Sequence, residues 1–281
     1  MQKTVHYKGK DIHYTHLNPA RKKGGLAAPA TLMLVHGFPE RGRIFQPQIA
    51  ALSQHCTLLV PDLPGSGDSP YNPDLHSIAD YADALQAITA TEQVTRLVII
   101  GHSMGGYIAL AFADRYPRNL LGLGLMHSTA YADSADKKAN RLKAIQTMEQ
   151  YGGPAFLKSM IPALFAASFK SAHPAVVQEL IQAGNDFQTA TLQQYYRMML
   201  DRSDKTYLLS QLSIPFLFIS GTEDKAAPPK DLIAQSALPQ TAMIEILDQA
   251  GHMGFIEKAD EVNRILLDYL SLVQCLQGQT T

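Results

Sequence analysis

Six short apolar runs, at residues 31–35, 57–60, 97–100, 120–126, 214–219 and 243–247, are separated by segments whose apolar residues recur with helical spacing. A strand loses polar–apolar alternation when both of its faces are covered, as in a parallel sheet flanked by helices. The pattern therefore predicts an α/β fold. Ahead of these runs, Val5, Tyr7, Ile12 and Tyr14 alternate with polar neighbours on either side of Lys8-Gly9-Lys10-Asp11. That is the pattern of an antiparallel hairpin, and it brings the expected strand count to eight in a mostly parallel sheet. Residues 17–30, with two prolines, two glycines and the basic trio Arg21-Lys22-Lys23, read as an exposed connection.

The rhythm of strand and helix breaks once, where about 85 residues (128–212) separate two strands that short connections would otherwise join. This interval predicts an inserted helical cap, leaving 1–127 and 213–281 as the core. Segments 137–150, 154–165, 174–181 and 191–199 within it carry helical patterning, and the interval is rich in aromatic residues and methionine. Most of those side chains are expected to form the cap's own core. Phe165, Tyr195 and Met199 are candidates for facing a substrate.

Charge narrows the class of partner. With Lys plus Arg at 24 and Asp plus Glu at 25, the net charge is −1, and no overall field favours nucleic acid or an anionic membrane. The first fourteen residues lack the apolar core of a signal peptide, and no apolar run approaches the ~18 residues that span a bilayer. Cys56 and Cys275 read as two separate thiols rather than a disulfide framework or zinc site. A soluble cytoplasmic protein, monomer or homodimer, is expected.

The chemistry concentrates in Gly101-His102-Ser103-Met104-Gly105, which directly follows one apolar run and directly precedes a helical pattern. A serine on a sharp strand-to-helix turn needs glycines two residues before and after it, because side chains there would strike the neighbouring strand and helix. Such a serine also needs a base, itself oriented by a carboxylate. His252 follows the last strand, where a base can reach the top of the sheet. Asp224, four residues past the preceding strand, is the candidate acid, with Glu223 as its local rival and Asp133 as a distant one. Oxyanion donors are expected from the amides of Met104, at the start of the helix, and Phe38, in the loop His36-Gly37-Phe38-Pro39, with Gly37 next in line. Pro39 has no N–H to give. His102 is expected to point away from Ser103 and is a further candidate for the pocket wall.

These motifs, together with the stretch Asp62-Leu63-Pro64-Gly65-Ser66-Gly67-Asp68-Ser69, make the chain resemble the α/β-hydrolase superfamily, in particular its small esterases with a helical cap. The resemblance covers essentially the whole chain. It implies Ser103, Asp224 and His252 as nucleophile, acid and base, a structural role for the 62–69 loop, and no metal or organic cofactor. Serine at 103 departs from the epoxide hydrolases and haloalkane dehalogenases, which carry aspartate there, and the chain has no tryptophan. The resulting expectation is a serine hydrolase of small or medium acyl or aryl esters. Amides, lactones, thioesters and carbon–carbon bonds remain open as substrates, as do lyase or perhydrolase chemistry, with Arg41, Arg43 or Arg197 as possible holders of an acidic substrate. A ligand-binding receptor is the remaining alternative.

Overall fold

A computed structural model describes residues 1–19 and 30–278. Eight strands form one sheet: β1 (Gln2–Tyr7), β2 (Lys10–Leu17), β3 (Thr31–Val35), β4 (Thr57–Pro61), β5 (Leu97–His102), β6 (Leu120–Met126), β7 (Phe216–Gly221) and β8 (Ala242–Leu247). Their order is β1-β2-β4-β3-β5-β6-β7-β8, with β2 antiparallel to both its neighbours and every other pair parallel. The hairpin turns through Lys8 and Gly9, both at positive φ (44° and 75°), a backbone twist that suits two-residue hairpins. The basic trio at 21–23 lies outside the described residues.

Burial explains which runs lack alternation. All six residues of β5 are buried, as are four of five in β3. The run at 243–247 departs from the expectation of two covered faces: β8 is an edge strand, with Ile244 45% and Ile246 41% exposed. Its alternating burial reflects one face left uncovered at the edge of the sheet.

Helices α1 (Gln46–Leu52), α2 (Ile78–Thr91) and α3 (Met104–Arg115) belong to the first half of the sheet. Between β6 and β7 come only helices and turns: α4 (Ala135–Tyr151), α5 (Gly153–Met160), α6 (Ala167–Ala172), α7 (Pro174–Ala183), α8 (Thr189–Asp201) and α9 (Thr206–Gln211). The segment expected as one helix over 154–165 ends at Met160 and tightens into a 3-10 turn over Ile161–Leu164, where Pro162 removes a backbone donor. Two short helices, α6 and α9, were not legible from periodicity. The chain then closes with α10 (Pro229–Ser236), α11 (Gly254–Glu257) and α12 (Ala259–Gly278).

The insertion is bonded to the core at several points. Gln194 of α8 donates to the carbonyls of Asn72 and Leu75, and Tyr195 donates to that of Pro64. Below it, α3 sits so close to the sheet that no side chain fits at two places. A Cβ on Gly101 would overlap the backbone of Gly105 and Gly106, and one on Gly105 would overlap the carbonyls of Val35 and His36. These obstacles are backbone, which cannot rotate aside. Gly105→Ala should therefore cost about 3 kcal/mol of stability or prevent folding, as read by urea denaturation, and an effect within experimental error would contradict this packing.

Candidate active site

The sheet carries the candidate residues to the C-terminal ends of its parallel strands, the customary site of ligand binding in open α/β sheets. Ser103 follows β5 in a strained backbone conformation, φ 51° and ψ −116°, at the N-terminus of α3. Strain of this kind persists only where the surroundings over-determine it, and here the packing of Gly101 and Gly105 does so. Asp224 lies in the turn after β7, its Oδ1 accepting from the amides of Ala226 and Ala227 at 2.9 Å each. His252 follows β8 and donates through Nδ1 to Asp224, 2.9 Å from Oδ2 and 3.0 Å from Oδ1. That bond leaves Nε2 of His252 as the acceptor. Among the described residues no hydrogen bond joins Ser103 Oγ to His252, a contact that catalytic sites often tighten only around a substrate.

Electrostatics within this cluster follow from its burial. Burial alone would raise the Asp224 carboxyl, but the charge of His252 and hydrogen bonds from His127 and His252 hold it well below the usual carboxylate range. Burial would lower His252; the charge and hydrogen bond of Asp224 outweigh it, with Glu40 contributing, and raise His252 above its ordinary value.

The loop after β3 supplies the other wall. Its Phe38–Pro39 peptide is cis. The Gly37 amide donates to Glu40 Oε2 at 2.7 Å, so it is already engaged. Neither the Phe38 nor the Met104 amide donates to any described residue. His36 donates to the Gly37 carbonyl through Nδ1, while its Nε2 accepts from the Leu63 amide and the Ser66 hydroxyl. That histidine ties the loop to residues 62–69.

His102, expected on the pocket wall, is instead wholly buried behind the site. Its Nε2 donates to the His252 carbonyl at 3.0 Å, and its Nδ1 lies 2.9 and 3.0 Å from the two oxygens of Glu40. Both ring nitrogens are thus occupied by oxygen partners, which holds the imidazole between Glu40 and the backbone of His252. Burial would raise Glu40, but the His102 charge prevails and lowers it. Glu40 was missed in the sequence, its only signal being a carboxylate just beyond His36-Gly37-Phe38-Pro39. His127 was also missed. It immediately follows β6, and its Nδ1 donates to Asp224 Oδ2 at 2.9 Å.

The other candidates fall in different places. Phe165 is buried, stacked on Phe169 with ring centroids 5.5 Å apart, in a segment lying directly on Gly251-His252: the Leu164 carbonyl accepts from the His252 amide at 2.6 Å. Tyr195 is buried as a strut to Pro64. Its neighbour Tyr196, one helical step round, sets its ring 4.6 Å from that of Phe38. Met199 is buried in α8. Glu223 is exposed, and Asp133 is paired with Arg141 and Arg202, so neither reaches His252 as a rival acid. Arg41 is committed to Asp186 of the insertion, while Arg43 and Arg197 are exposed. A cleft of about 220 Å³ between the β3 loop and the insertion is lined by apolar residues such as Ile161, Leu164 and Phe187 and by the charged Glu40, Arg41 and Glu179; Ser103 and His252 are not among its lining residues, although Met253 is.

His127, Asp224 and His252 have potential ligand atoms within 4.8 Å of one another. The close approaches among them are direct hydrogen bonds at 2.9–3.0 Å, and we read the trio as a proton-holding cluster and not as metal ligands. No helix among the described residues is long and apolar enough to cross a membrane.

The family profile described as alpha/beta hydrolase fold matches residues 30–259. A Yersinia enterocolitica protein provisionally named carbamate hydrolase RutD is 27% identical over 248 residues, 86% of this chain and 88% of that protein. A pimeloyl-[acyl-carrier protein] methyl ester esterase of Xanthomonas oryzae is 27% identical over 249 residues, covering 86% and 95%. Among solved structures, a thermophilic esterase of Thermogutta terrifontis, with malate bound, superposes with a TM-score of 0.87 at 27% identity, covering 97% of this chain and 99% of that one.

The Glu40–His102 pair makes a prediction about stability. A carboxyl whose folded pKa lies below its unfolded value near 4.3 stabilises the fold fully above that value and ceases to do so as pH falls through the lowered one. Glu40→Gln should cost on the order of 3 kcal/mol at pH 7 in urea denaturation. The gap from the wild type should narrow below about pH 4. A gap that stays constant into acid would mean that Glu40 is not ionised in the folded protein.

Proposed function

Because this chain belongs to the α/β-hydrolase-fold family, matched over residues 30–259, we propose that it is a serine hydrolase cleaving small or medium carboxylic esters through an acyl-enzyme on Ser103. The observation that carries this reading is the buried Asp224–His252 bond, which fixes the proton on Nδ1 and turns a bare Nε2 toward the chemistry. In this mechanism Ser103 Oγ attacks the ester carbonyl as His252 Nε2 takes its proton. The negative charge on the carbonyl oxygen is met by the Phe38 and Met104 amides, neither of which donates to any described residue. His252 then gives its proton to the departing alkoxide. Water, deprotonated by His252, releases the acid and restores Ser103.

The insertion over 128–212 serves here as a cap, with Phe165 and the segment 161–164 forming the roof beside His252. The apolar residues that the insertion and the β3 loop bring near His252, among them Leu164, Phe165 and Phe38, suit short acyl, alkyl or aryl groups. His102 and Tyr195 act behind the pocket as supports, and Tyr196, with its ring 4.6 Å from that of Phe38, is the tyrosine of α8 better placed to face a substrate. The esterase names among the relatives support ester hydrolysis, while the carbamate hydrolase keeps related acyl groups within reach of the same residues. The mechanism asks nothing of a metal or organic cofactor, and the molecule it needs as partner is the ester.

Labelling with a fluorophosphonate, followed by turnover of p-nitrophenyl esters of increasing chain length, tests the proposal. Modification of Ser103 together with turnover is the expected outcome; labelling without turnover would redirect the assignment to lyase or carbon–carbon chemistry, and no labelling to a receptor. Ser103→Ala should lower kcat by roughly four orders of magnitude while leaving the melting temperature near that of the wild type. The pH profile should show a single acid limb. His252 must be neutral to accept the serine proton, so kcat/KM falls as pH drops through its pKa, with a midpoint above the ordinary histidine value of about 6.5. A midpoint well below that value would argue against His252 as the base.

A further inference from the structure

We infer that His127 is a second positioning histidine of this site: neutral, with its proton on Nδ1, it shares the Asp224 carboxylate with His252 and thereby sets how strongly that carboxylate holds His252 in its charged form. The inference rests on the reading of Asp224 and His252 as acid and base. Geometry carries it. Asp224 Oδ2 receives Nδ1–H from both imidazoles, at 2.9 Å each, while Oδ1 receives two backbone amides. No oxygen of this carboxylate is left for solvent or for a third side chain.

Two costs are maintained to keep His127 in this position. It is a non-glycine residue at φ 50°, in the left-handed region, pinned there by its amide donating to the Ile219 carbonyl at 2.7 Å. Its Nε2 is buried with no hydrogen-bond partner. A residue kept only for packing would satisfy neither condition so poorly, since an apolar side chain of similar size would remove the second cost. The ring is also given dedicated room: a Cβ on Gly254 would overlap Nε2. The orphaned nitrogen identifies the tautomer, because a proton on Nε2 would leave a bare Nδ1 lone pair against the carboxylate.

The charged and titratable groups around this cluster come from every element packed on it. Asp224 belongs to the loop after β7, His252 to that after β8, His102 to the elbow, Glu40 to the loop after β3 and Lys137 to α4. Burial keeps His127 neutral, lowering it to about 4 against the raising effect of Asp224. His127 is thus an uncharged donor across the working range of His252. Donation to a carboxylate stabilises the anion and weakens its pull on a second proton. Without His127, Asp224 would favour imidazolium at 252 more strongly, and His252 would stay protonated to higher pH.

Nitrogen-15 labelling of the histidine rings reports tautomer and titration directly in the full-length protein. In the wild type, His127 should appear as the Nδ1–H tautomer and keep it while His252 titrates. In His127→Gly, which tolerates the positive φ, the His252 midpoint should rise by about half a pH unit or more. In His127→Asn the side-chain amide nitrogen occupies the position of Nδ1, asparagine accepts positive φ, and the midpoint should return toward the wild-type value. Finding the Nε2–H tautomer in the wild type would overturn the inference, as would a His252 midpoint that stays put or falls in the glycine variant, even if that variant loses stability. Should the glycine variant not fold, the wild-type tautomer decides. Failure of the hydrolase proposal is read separately, as absent ester turnover by the wild type, and leaves these resonances interpretable.

Discussion

Everything at the candidate site depends on how closely α3 approaches β3 and β5. Gly101 and Gly105 allow backbone to meet backbone there, and the consequence is that Ser103 has no relaxed conformation available to it. The strain is spread over a fully buried strand and a helix whose first ten residues are buried, so the fold as a whole absorbs it. The same approach aims the first amides of α3, with their partial positive charge, at the mouth of the sheet.

Around that contact runs a buried polar network built largely from histidines. His36 joins the β3 loop to residues 62–69, His102 joins Glu40 to the backbone of His252, and His127 joins β6 to Asp224. In His36 and His127 the bonding pattern places the proton on Nδ1, while in His102 both ring nitrogens meet oxygen partners. Networks of this sort hold geometry well when their members are satisfied, and among the ring nitrogens of these three histidines the unsatisfied one is Nε2 of His127. The site is therefore positioned less by its loops than by charged and hydrogen-bonded groups behind them.

Much of the fold was legible because it rests on local patterns. Unalternating runs reported β3, β5 and β7, and glycines two residues either side of Ser103 reported the elbow. Asp224 and His252 were legible from topology, since each follows a strand whose end points to the same edge. What failed to show was set by long-range geometry. Nothing local distinguishes Tyr195 from Tyr196, yet a 100° turn of α8 buries one as a strut to Pro64 and leaves the other half-buried with its ring closer to that of Phe38. Glu40 and His127 are single polar residues beside apolar stretches, and their partners lie 62 and 97 positions away. The exposure of Ile244 and Ile246 likewise depends on which strand ends the sheet.

The segment over 164–166 is fastened to the base. The His252 amide bonds the Leu164 carbonyl, Glu257 accepts from the amides of both Gly251 and Ala166, and a Cβ on Gly251 would overlap this stretch of backbone. Roof and imidazole are consequently one mechanical part. Under the proposed mechanism, a molecule entering by prising up that segment would drag His252 off Asp224 and arrive at a disarmed serine, so productive traffic would have to pass where the roof is not hinged to the base.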